Sequence, residues 1–140
     1  MEQVAATPRT YQQKRDWDFR NLNIWKEGHA VVLRIFEMTK RWQRDETTDL
    51  AADLCHAAVG FTTTMARALV KNGHKEKIQG YESATIFIPE LENLIMITRD
   101  LGYCTPSEAD DIRYRAETLG KMTYGLIKAS KIKMQQNQEK

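Results

Sequence analysis

Residues 22–42 read LNIWKEGHAVVLRIFEMTKRW, with apolar residues at every third or fourth position. This spacing predicts a helix from Asn23 to Arg44. The apolar residues form two stripes, of which we assign the first to the core. The first stripe is Leu22, Trp25, His29, Val32, Leu33 and Phe36, and the second is Val31, Ile35, Met38 and Trp42. Another subunit is the expected cover for the second stripe, and a neighbouring helix of the same bundle is the alternative.

His29 belongs to the first stripe, between Trp25 and Phe36. Such a position suits either a reactive imidazole or an imidazole buried for packing. We favour a buried ring that hydrogen-bonds a neighbouring helix, because buried polar groups are usually satisfied in this way. The position then indicates a scaffold and not an active site.

Two further helices follow from the same periodicity. The second spans residues 48–71 and is apolar on nearly every side, which predicts burial on nearly every side. We expect Gly73 to end it in the left-handed conformation. The third spans residues 75–101 and contains Pro89, which predicts a kink because proline removes a backbone donor. A break into two helices is the alternative.

The segment LGYCTPSEADD, residues 101–111, marks the sharpest boundary in the chain. Gly102 can end the third helix in the left-handed conformation. Thr105 then caps the fourth helix, with Glu108 as the capping-box partner that reaches back to it. The fourth helix is expected over residues 106–133.

Four helices with short links predict an all-α fold, an antiparallel up-down-up-down four-helix bundle. We expect the bundle domain at residues 19–133, a loose basic arm at residues 1–18 and a polar tail at residues 134–140. The surplus apolar surface predicts a homo-oligomer. The expected interface residues are Val31, Ile35, Met38, Trp42, Cys55 and Val59.

Composition and charge restrict the class of protein. No apolar run is long enough to cross a bilayer and the first residues lack a signal-peptide centre, so we expect a cytoplasmic protein with reduced cysteines and no membrane partner. The net charge is +2, but residues 9–44 hold nine basic and four acidic residues, whereas residues 82–117 hold three basic and eight acidic residues. This uneven distribution is compatible with an anionic partner.

Motifs for catalysis and metal binding are missing from the sequence. Cys55 and His56 are adjacent, so on a helix they point about 100° apart and cannot act as a nucleophile and its base. No C-x-x-C, H-x-x-x-H, Glu-x-x-His or glycine-rich phosphate loop occurs. We therefore expect no enzyme activity, no metal and no cofactor. A hidden active site that includes His29 is the competing hypothesis.

Basic side chains on the helix surfaces are the remaining functional candidates. On the first and fourth helices they share the sector opposite the core, and in the fourth a tyrosine lies among them, which suits a phosphate backbone and an unstacked base. An ordinary solvated helix face is the alternative. A ring of subunits would repeat these basic side chains, so that their phosphate contacts would add along one nucleic-acid strand. The candidate nucleic-acid-binding residues are Lys26, Arg34, Arg41, Arg44, Arg67, Lys71, Arg113, Lys121, Tyr124, Lys128 and Lys131.

Four segments resemble a known family. They are FRNLNIW…H at 19–29, ELENLI at 90–95, DLGY at 100–103 and GKMTYGLIK at 120–128. They are similar to the four-helix-bundle proteins encoded in intervening sequences of bacterial 23S ribosomal RNA genes, which are related to the accessory variability protein of diversity-generating retroelements. The resemblance implies a five-fold barrel of bundles, a homopentamer. For the retroelement branch it also implies binding to RNA or an RNA/DNA hybrid and to a reverse transcriptase, without catalysis.

The segment TTMARA, residues 63–68, departs from the family pattern, which here is similar to Ser-Asn-Ile-Ala-Glu-Gly. Thr64 stands at the Asn position, Arg67 at the Glu position and Ala68 at the Gly position. A base replaces an acid, which favours the retroelement branch. The leading hypothesis is an oligomeric nucleic-acid-binding accessory protein of a reverse transcriptase. The alternative is a scaffold that mediates protein–protein contacts without nucleic acid.

Overall fold

The computed structural model describes residues 18–42 and 44–139, and every regular element in these residues is helical. A 3₁₀ turn at Phe19–Asn21 precedes five helical segments. They are α1 (Asn23–Thr39), α2 (Arg44–Leu69), α3 (His74–Thr85), α4 (Phe87–Asp100) and α5 (Pro106–Glu139). Within these residues, no helix combines the length and the apolar character that crossing a membrane requires.

The segments α3 and α4 are two halves of one interrupted helix. Ile86 alone separates them, and its backbone keeps right-handed helical angles (φ −67°, ψ −23°). Pro89 lacks the N–H group that would donate to the carbonyl of Thr85, four residues earlier, which accounts for an interruption at this place. The sequence predicted a kink, with a break as the alternative, and the structure shows the break, of one residue.

Contacts between the helices define an antiparallel four-helix bundle. Thr39 of α1 lies near Cys55 of α2, with 3.9 Å between Oγ1 and Sγ, whereas Gly28 near the start of α1 packs against Thr62 near the end of α2. Helix α1 contacts α2 and α5, and both α2 and α5 contact α3 and α4. Helix α1 and the α3–α4 helix therefore occupy opposite corners of the bundle, as do α2 and α5.

The core residues of α2 and α5 repeat at helical spacing. The buried residues of these two helices include Leu54, Ala57, Ala58, Phe61, Met65, Ala68, Ile112, Ala116, Leu119 and Thr123. The Thr123 hydroxyl donates to the Leu119 carbonyl at 2.7 Å, so this buried polar group is satisfied within its own helix. Leu50 and Leu126 are only partly buried, at the edge of this core.

The prediction for the two stripes of α1 is wrong. Val31, Ile35 and Met38, which we assigned to a subunit interface, are buried inside their own protomer, Val31 with only 1% of its surface exposed. On the stripe that we assigned to the core, Leu33 is 57% and Phe36 47% exposed. Helix α1 is therefore rotated about its axis relative to the predicted orientation.

Gly28 accounts for this orientation of α1. It lies on the buried side of the helix, in phase with Ile24 and Val31. A Cβ atom at Gly28 would lie 2.9 Å from Cγ2 of Thr62, so the missing side chain lets α1 approach α2 closely on this side. The stripe that carries Trp25 has no glycine and cannot pack as closely.

The link between α4 and α5 forms as predicted. The Thr105 N–H donates to Oε1 of Glu108 at 2.9 Å, and the Glu108 N–H donates to Oγ1 of Thr105 at 3.0 Å, which confirms the capping box. Gly102 has a φ of 82°, so the left-handed turn after α4 is confirmed as well.

The ends of α2 and α5 differ from the predictions. Gly73 is extended (φ −92°, ψ 148°), so the predicted left-handed conformation is wrong. The Lys77 side chain instead satisfies the end of α2, because its Nζ donates to the Leu69 carbonyl at 2.8 Å. Helix α5 continues to Glu139, so residues 134–139 extend it, while residues 1–17 of the expected arm lie outside the described residues.

Candidate nucleic-acid interface

The predicted nucleic-acid-binding residues do not form one surface. Arg34 of α1 and Arg41, two residues after the end of α1, are exposed, but both pair with carboxylates of α5. Nη1 of Arg34 lies 3.1 Å from Oδ2 of Asp111, and Arg41 pairs with Glu108. Nε of Arg115 also pairs with Asp111, at 3.2 Å. The guanidinium groups of Arg34 and Arg41 therefore link the α1 side of the bundle to α5, whereas the Arg115 pair lies within α5. The charge of all three groups is partly neutralised.

The same ion pairs line a cleft of about 270 Å³ between α1 and α5. The hydrogen bond from the Thr105 N–H holds the pKa of Glu108 below its ordinary value, and Arg41 lowers this pKa further. A carboxylate held ionised in this way is a poor proton donor at neutral pH. We therefore assign the cleft to the contact between the two helices.

A second group of predicted residues lies on other helices. Arg67 is exposed in the last turn of α2 and Lys71 just after it, and α2 occupies the corner opposite α5. Lys26 is exposed on α1. Helix α2 begins at Arg44, but the side chain of Arg44 lies outside the described residues. The structure does not bring Arg67 and Lys71 together with the basic residues of α5.

The third group forms one surface on α5, which we call the α5 outer face. It consists of the exposed side chains of Arg113, Lys121, Tyr124, Lys128 and Lys131. Lys121 is two positions from both Leu119 and Thr123, which are buried, and so points about 200° away from them. Among the side chains that the structure describes, no carboxylate pairs with Lys121, Lys128 or Lys131.

Tyr114 is a further exposed residue of α5 that our sequence analysis missed. Its side chain is 70% exposed, and that of Tyr124 is 66% exposed. Tyr114 precedes Lys121 by seven residues, which places the two side chains on the same side of the helix. That spacing is the signal that could have identified Tyr114. The exposed side of α5 thus carries two phenol rings and several cations.

His29 belongs to a ring stack on the surface of α1. Its imidazole is half-buried and lies parallel to the Trp25 ring, with 4.5 Å between the centroids and 15° between the planes. Phe19 contacts Trp25 edge-on at 5.5 Å. The predicted burial of His29 against a neighbouring helix is therefore wrong, because the ring packs on its own helix, one turn from its partner.

The two cysteines lack the environment of reactive thiols. Burial is the main cause that raises the pKa values of Cys55 and Cys104, and a raised pKa keeps a thiol protonated. An activated cysteine nucleophile requires the opposite shift. Over residues 18–42 and 44–139, His, Cys, Asp and Glu side chains do not gather in the groups of three or more that a metal ion needs.

Two apolar surfaces of the bundle are exposed or partly exposed. The α1–α2 apolar face consists of Leu22, which precedes α1, of Trp25, Val32, Leu33 and Phe36 of α1, and of Cys55 and Val59 of α2; within it, Trp25, Val32 and Cys55 are only partly exposed. The α4 apolar face consists of Ile86, Ile97 and Leu101, which are all exposed. Spacings of eleven and four residues place these three side chains on one side of the α3–α4 helix.

The other three predicted interface residues are Trp42, Cys55 and Val59, which do not belong to α1. Trp42, which we assigned to the interface together with Val31, Ile35 and Met38, is half-buried and packs against Tyr103 at the end of the bundle, with 5.7 Å between ring centroids. Cys55 is half-buried and Val59 is exposed, both on the outer side of α2. Whether a second copy covers Cys55 and Val59 stays a prediction.

The family model described as 23S rRNA-intervening sequence protein matches residues 20–125, well over half of the chain. The match begins before α1 and ends within α5, so it includes every helix of the bundle. No curated protein matches the chain. The relation to the accessory variability protein of retroelements stays a prediction. The chain belongs to the 23S rRNA-intervening sequence protein family.

Proposed function

We propose that this protein is a non-catalytic, self-assembling scaffold that binds nucleic acid through the α5 outer face. The observation that carries the proposal is the difference between Arg34 and Arg41 on one side and the lysines of the α5 outer face on the other. Arg34 and Arg41 pair with carboxylates, whereas Lys121 and Lys128 have no such partner among the described side chains. The unpaired ammonium groups are available to phosphates.

The spacing of these lysines suits a polyanion. Lys121 and Lys131 are ten residues apart, which corresponds to about 15 Å along the helix axis. Lys128 lies between them on the same side of α5. Binding of each phosphate to such a cation releases a condensed counterion, and this release favours association at low salt. An extended backbone along α5 could contact several of these lysines at once.

The apolar faces support self-assembly. One copy has the α1–α2 apolar face along α1 and α2 and the α4 apolar face at the corner opposite α1. Two different surfaces favour head-to-tail contacts, which close into a ring when the rotation between copies allows it. Such contacts leave the α5 outer face uncovered, so a ring would repeat the basic surface. The homopentamer stays a prediction from the family resemblance.

The salt dependence of RNA binding tests this proposal. Fluorescence anisotropy with a labelled single-stranded RNA would measure affinity from low to moderate salt for the unaltered protein and for the triple variant Lys121→Gln, Lys128→Gln, Lys131→Gln. Each lost phosphate contact should reduce the slope of log K against log salt by about 0.7, so the triple variant should lose about 2 in slope.

The variant Arg67→Gln, Lys71→Gln is the matched control, because it removes two exposed cations from the corner opposite α5. It should bind RNA with nearly the slope of the unaltered protein. Two results would contradict the proposal. One is an affinity that does not change with salt. The other is a control variant whose slope of log K against log salt falls as much for each removed charge as that of the α5 variant.

The apolar faces also favour a second candidate, a scaffold that contacts other proteins without nucleic acid. A pull-down with nuclease treatment separates the two functions. Partners that survive nuclease and are lost on Phe36→Glu would support this candidate. A reverse transcriptase as the partner stays a prediction, because neither apolar face distinguishes it from another copy of the chain.

A further inference from the structure

The exposed tyrosines of α5 make the proposed function more specific, and the following inference rests on that function. We propose that the protein binds single-stranded nucleic acid by stacking unpaired bases on Tyr114 and Tyr124, while neighbouring lysines contact the phosphates. A duplex, whose bases are already stacked and paired, would contact the lysines alone.

The described tyrosines fall into two kinds. Tyr81 is buried in the core and Tyr103 packs against Trp42, so both rings serve the fold. Tyr114 and Tyr124 are mostly exposed, and neither ring contacts another aromatic ring in the part of the chain that the structure describes. A phenol ring usually contributes to stability through the apolar area that it buries. These two rings are instead open to a ligand.

The positions of the two rings suit a strand that follows α5. Tyr114 and Tyr124 are ten residues apart, about 15 Å along the helix axis, so each ring can stack with a different base of one strand. Lys121 lies between the two rings along the helix, and Lys128 follows one turn after Tyr124. Cations that follow the backbone and aromatic rings that stack with bases are the two components of single-strand recognition.

The duplex is disfavoured by the same geometry. Its base faces are covered by neighbouring base pairs, so exposed rings on a helix surface cannot stack on them without unpairing the strands. An acidic protein would likewise need only the cations. The rings therefore distinguish a strand with free bases from other polyanions.

Three ligands of equal length test the inference with the full chain: a single-stranded RNA, an abasic strand with the same number of phosphates, and an RNA duplex. The variant Tyr114→Ala, Tyr124→Ala should weaken binding to the single strand by about fivefold to a hundredfold for each base that loses its stacking partner. Affinity for the abasic strand and the duplex should be unchanged. The variant Tyr114→Phe, Tyr124→Phe keeps both rings and is the matched control, with affinities close to those of the unaltered protein.

Circular dichroism and the sedimentation coefficient would verify that both variants keep the fold and the assembly state. Three results would overturn the inference: an unchanged affinity of the alanine variant for the single strand, an equal loss on all three ligands, or a loss in the phenylalanine variant as large as in the alanine variant. In each of these cases the salt slopes of the lysine variants would still support the proposed function. Failure of the unaltered protein to bind any of the three ligands would overturn both.

Discussion

Gly80 sets the distance between α2 and α3. A Cβ atom on Gly80 would lie 2.5 Å from Cβ and 3.0 Å from Cα of Ala68, so the two helices meet backbone against backbone. A backbone atom cannot move aside as the end of a flexible side chain can. Gly125 of α5 provides the contrast, because no atom lies within 4 Å of the place its Cβ would take.

The variant Gly80→Ala should lower the free energy of unfolding by about 1–3 kcal/mol, since the added methyl group overpacks the contact with Ala68. Gly125→Ala is the matched control and should raise it by up to about 1 kcal/mol, because alanine is the better helix former. Denaturant unfolding followed by circular dichroism measures both. Equal effects of the two substitutions would contradict the close approach at Gly80.

The orientation of α1 shows where prediction from residues fails. Both stripes of the helix are apolar, so periodicity alone does not choose between them. The choice depends on the contact of Gly28 with Thr62, a residue of another helix. One local signal did exist. The buried stripe contains no histidine, and its residues repeat at spacings of four and three: Ile24, Gly28, Val31, Ile35 and Met38.

The capping box and the interruption near Pro89, in contrast, could be predicted from the sequence because their interactions are local. Thr105 and Glu108 satisfy each other's backbone donors, and Pro89 leaves the Thr85 carbonyl without its helical donor, next to the break at Ile86. The end of α2 was predicted wrongly because it is satisfied by Lys77, a residue of the next helix. Local signals therefore identify where a helix begins, whereas contacts between helices determine its rotation and some of its ends.

The capping carboxylate should make the stability of α5 depend on pH. The folded protein holds the pKa of Glu108 below its ordinary 4.5. Ionisation therefore favours the folded state, and the stabilisation is complete above pH 4.5 and lost as the pH falls through the lower folded value. Glu108→Gln should be less stable than the unaltered protein at pH 7. This difference in stability should become smaller as the pH falls below 4.5.

Unfolding of both proteins in denaturant from pH 7 to pH 3 provides the measurement. Glu117→Gln changes an exposed carboxylate farther along the same helix and serves as the control, with a smaller difference at pH 7. A stability difference for Glu108→Gln that stays constant across this pH range would show that its charge does not contribute.

For the whole molecule, the sequence indicated a surplus of apolar surface but not its location. The surplus lies on α1 and α2 and on the α3–α4 helix, which is opposite α1 and adjacent to α2. The burial of Val31 inside its own protomer removes our original reason for assembly, and the exposure of Leu33 and Leu101 replaces it. Candidate residues of the α5 outer face were predictable because exposed charges on one helix follow its period.

Head-to-tail assembly predicts a specific result when two variants are mixed. Leu33→Lys should disable the α1–α2 apolar face and Leu101→Lys the α4 apolar face, so each variant alone should sediment as a monomer. Their mixture should form a dimer, because each variant retains the face that the other has lost.

Ile132→Lys changes an exposed apolar residue of α5 and should leave the assembly intact. Analytical ultracentrifugation distinguishes the outcomes. If the unaltered protein is a monomer at micromolar concentration, assembly through these faces is wrong. If one of the two variants alone still assembles, the contact joins identical faces and not different ones. If the mixture stays monomeric while the unaltered protein assembles, head-to-tail contact through these two faces is wrong.

Helix α5 has 34 residues and α1 has 17, so α1 can accompany only about half the length of α5. The C-terminal half, which carries Lys128 and Lys131, packs against fewer neighbouring helices and should unwind more readily than the rest of the bundle. A polyanion bound along that half would stabilise the helix there, because a ligand that binds only the helical form of these residues also disfavours their unwinding. Occupancy by a ligand and the order of the last turns are thus thermodynamically linked.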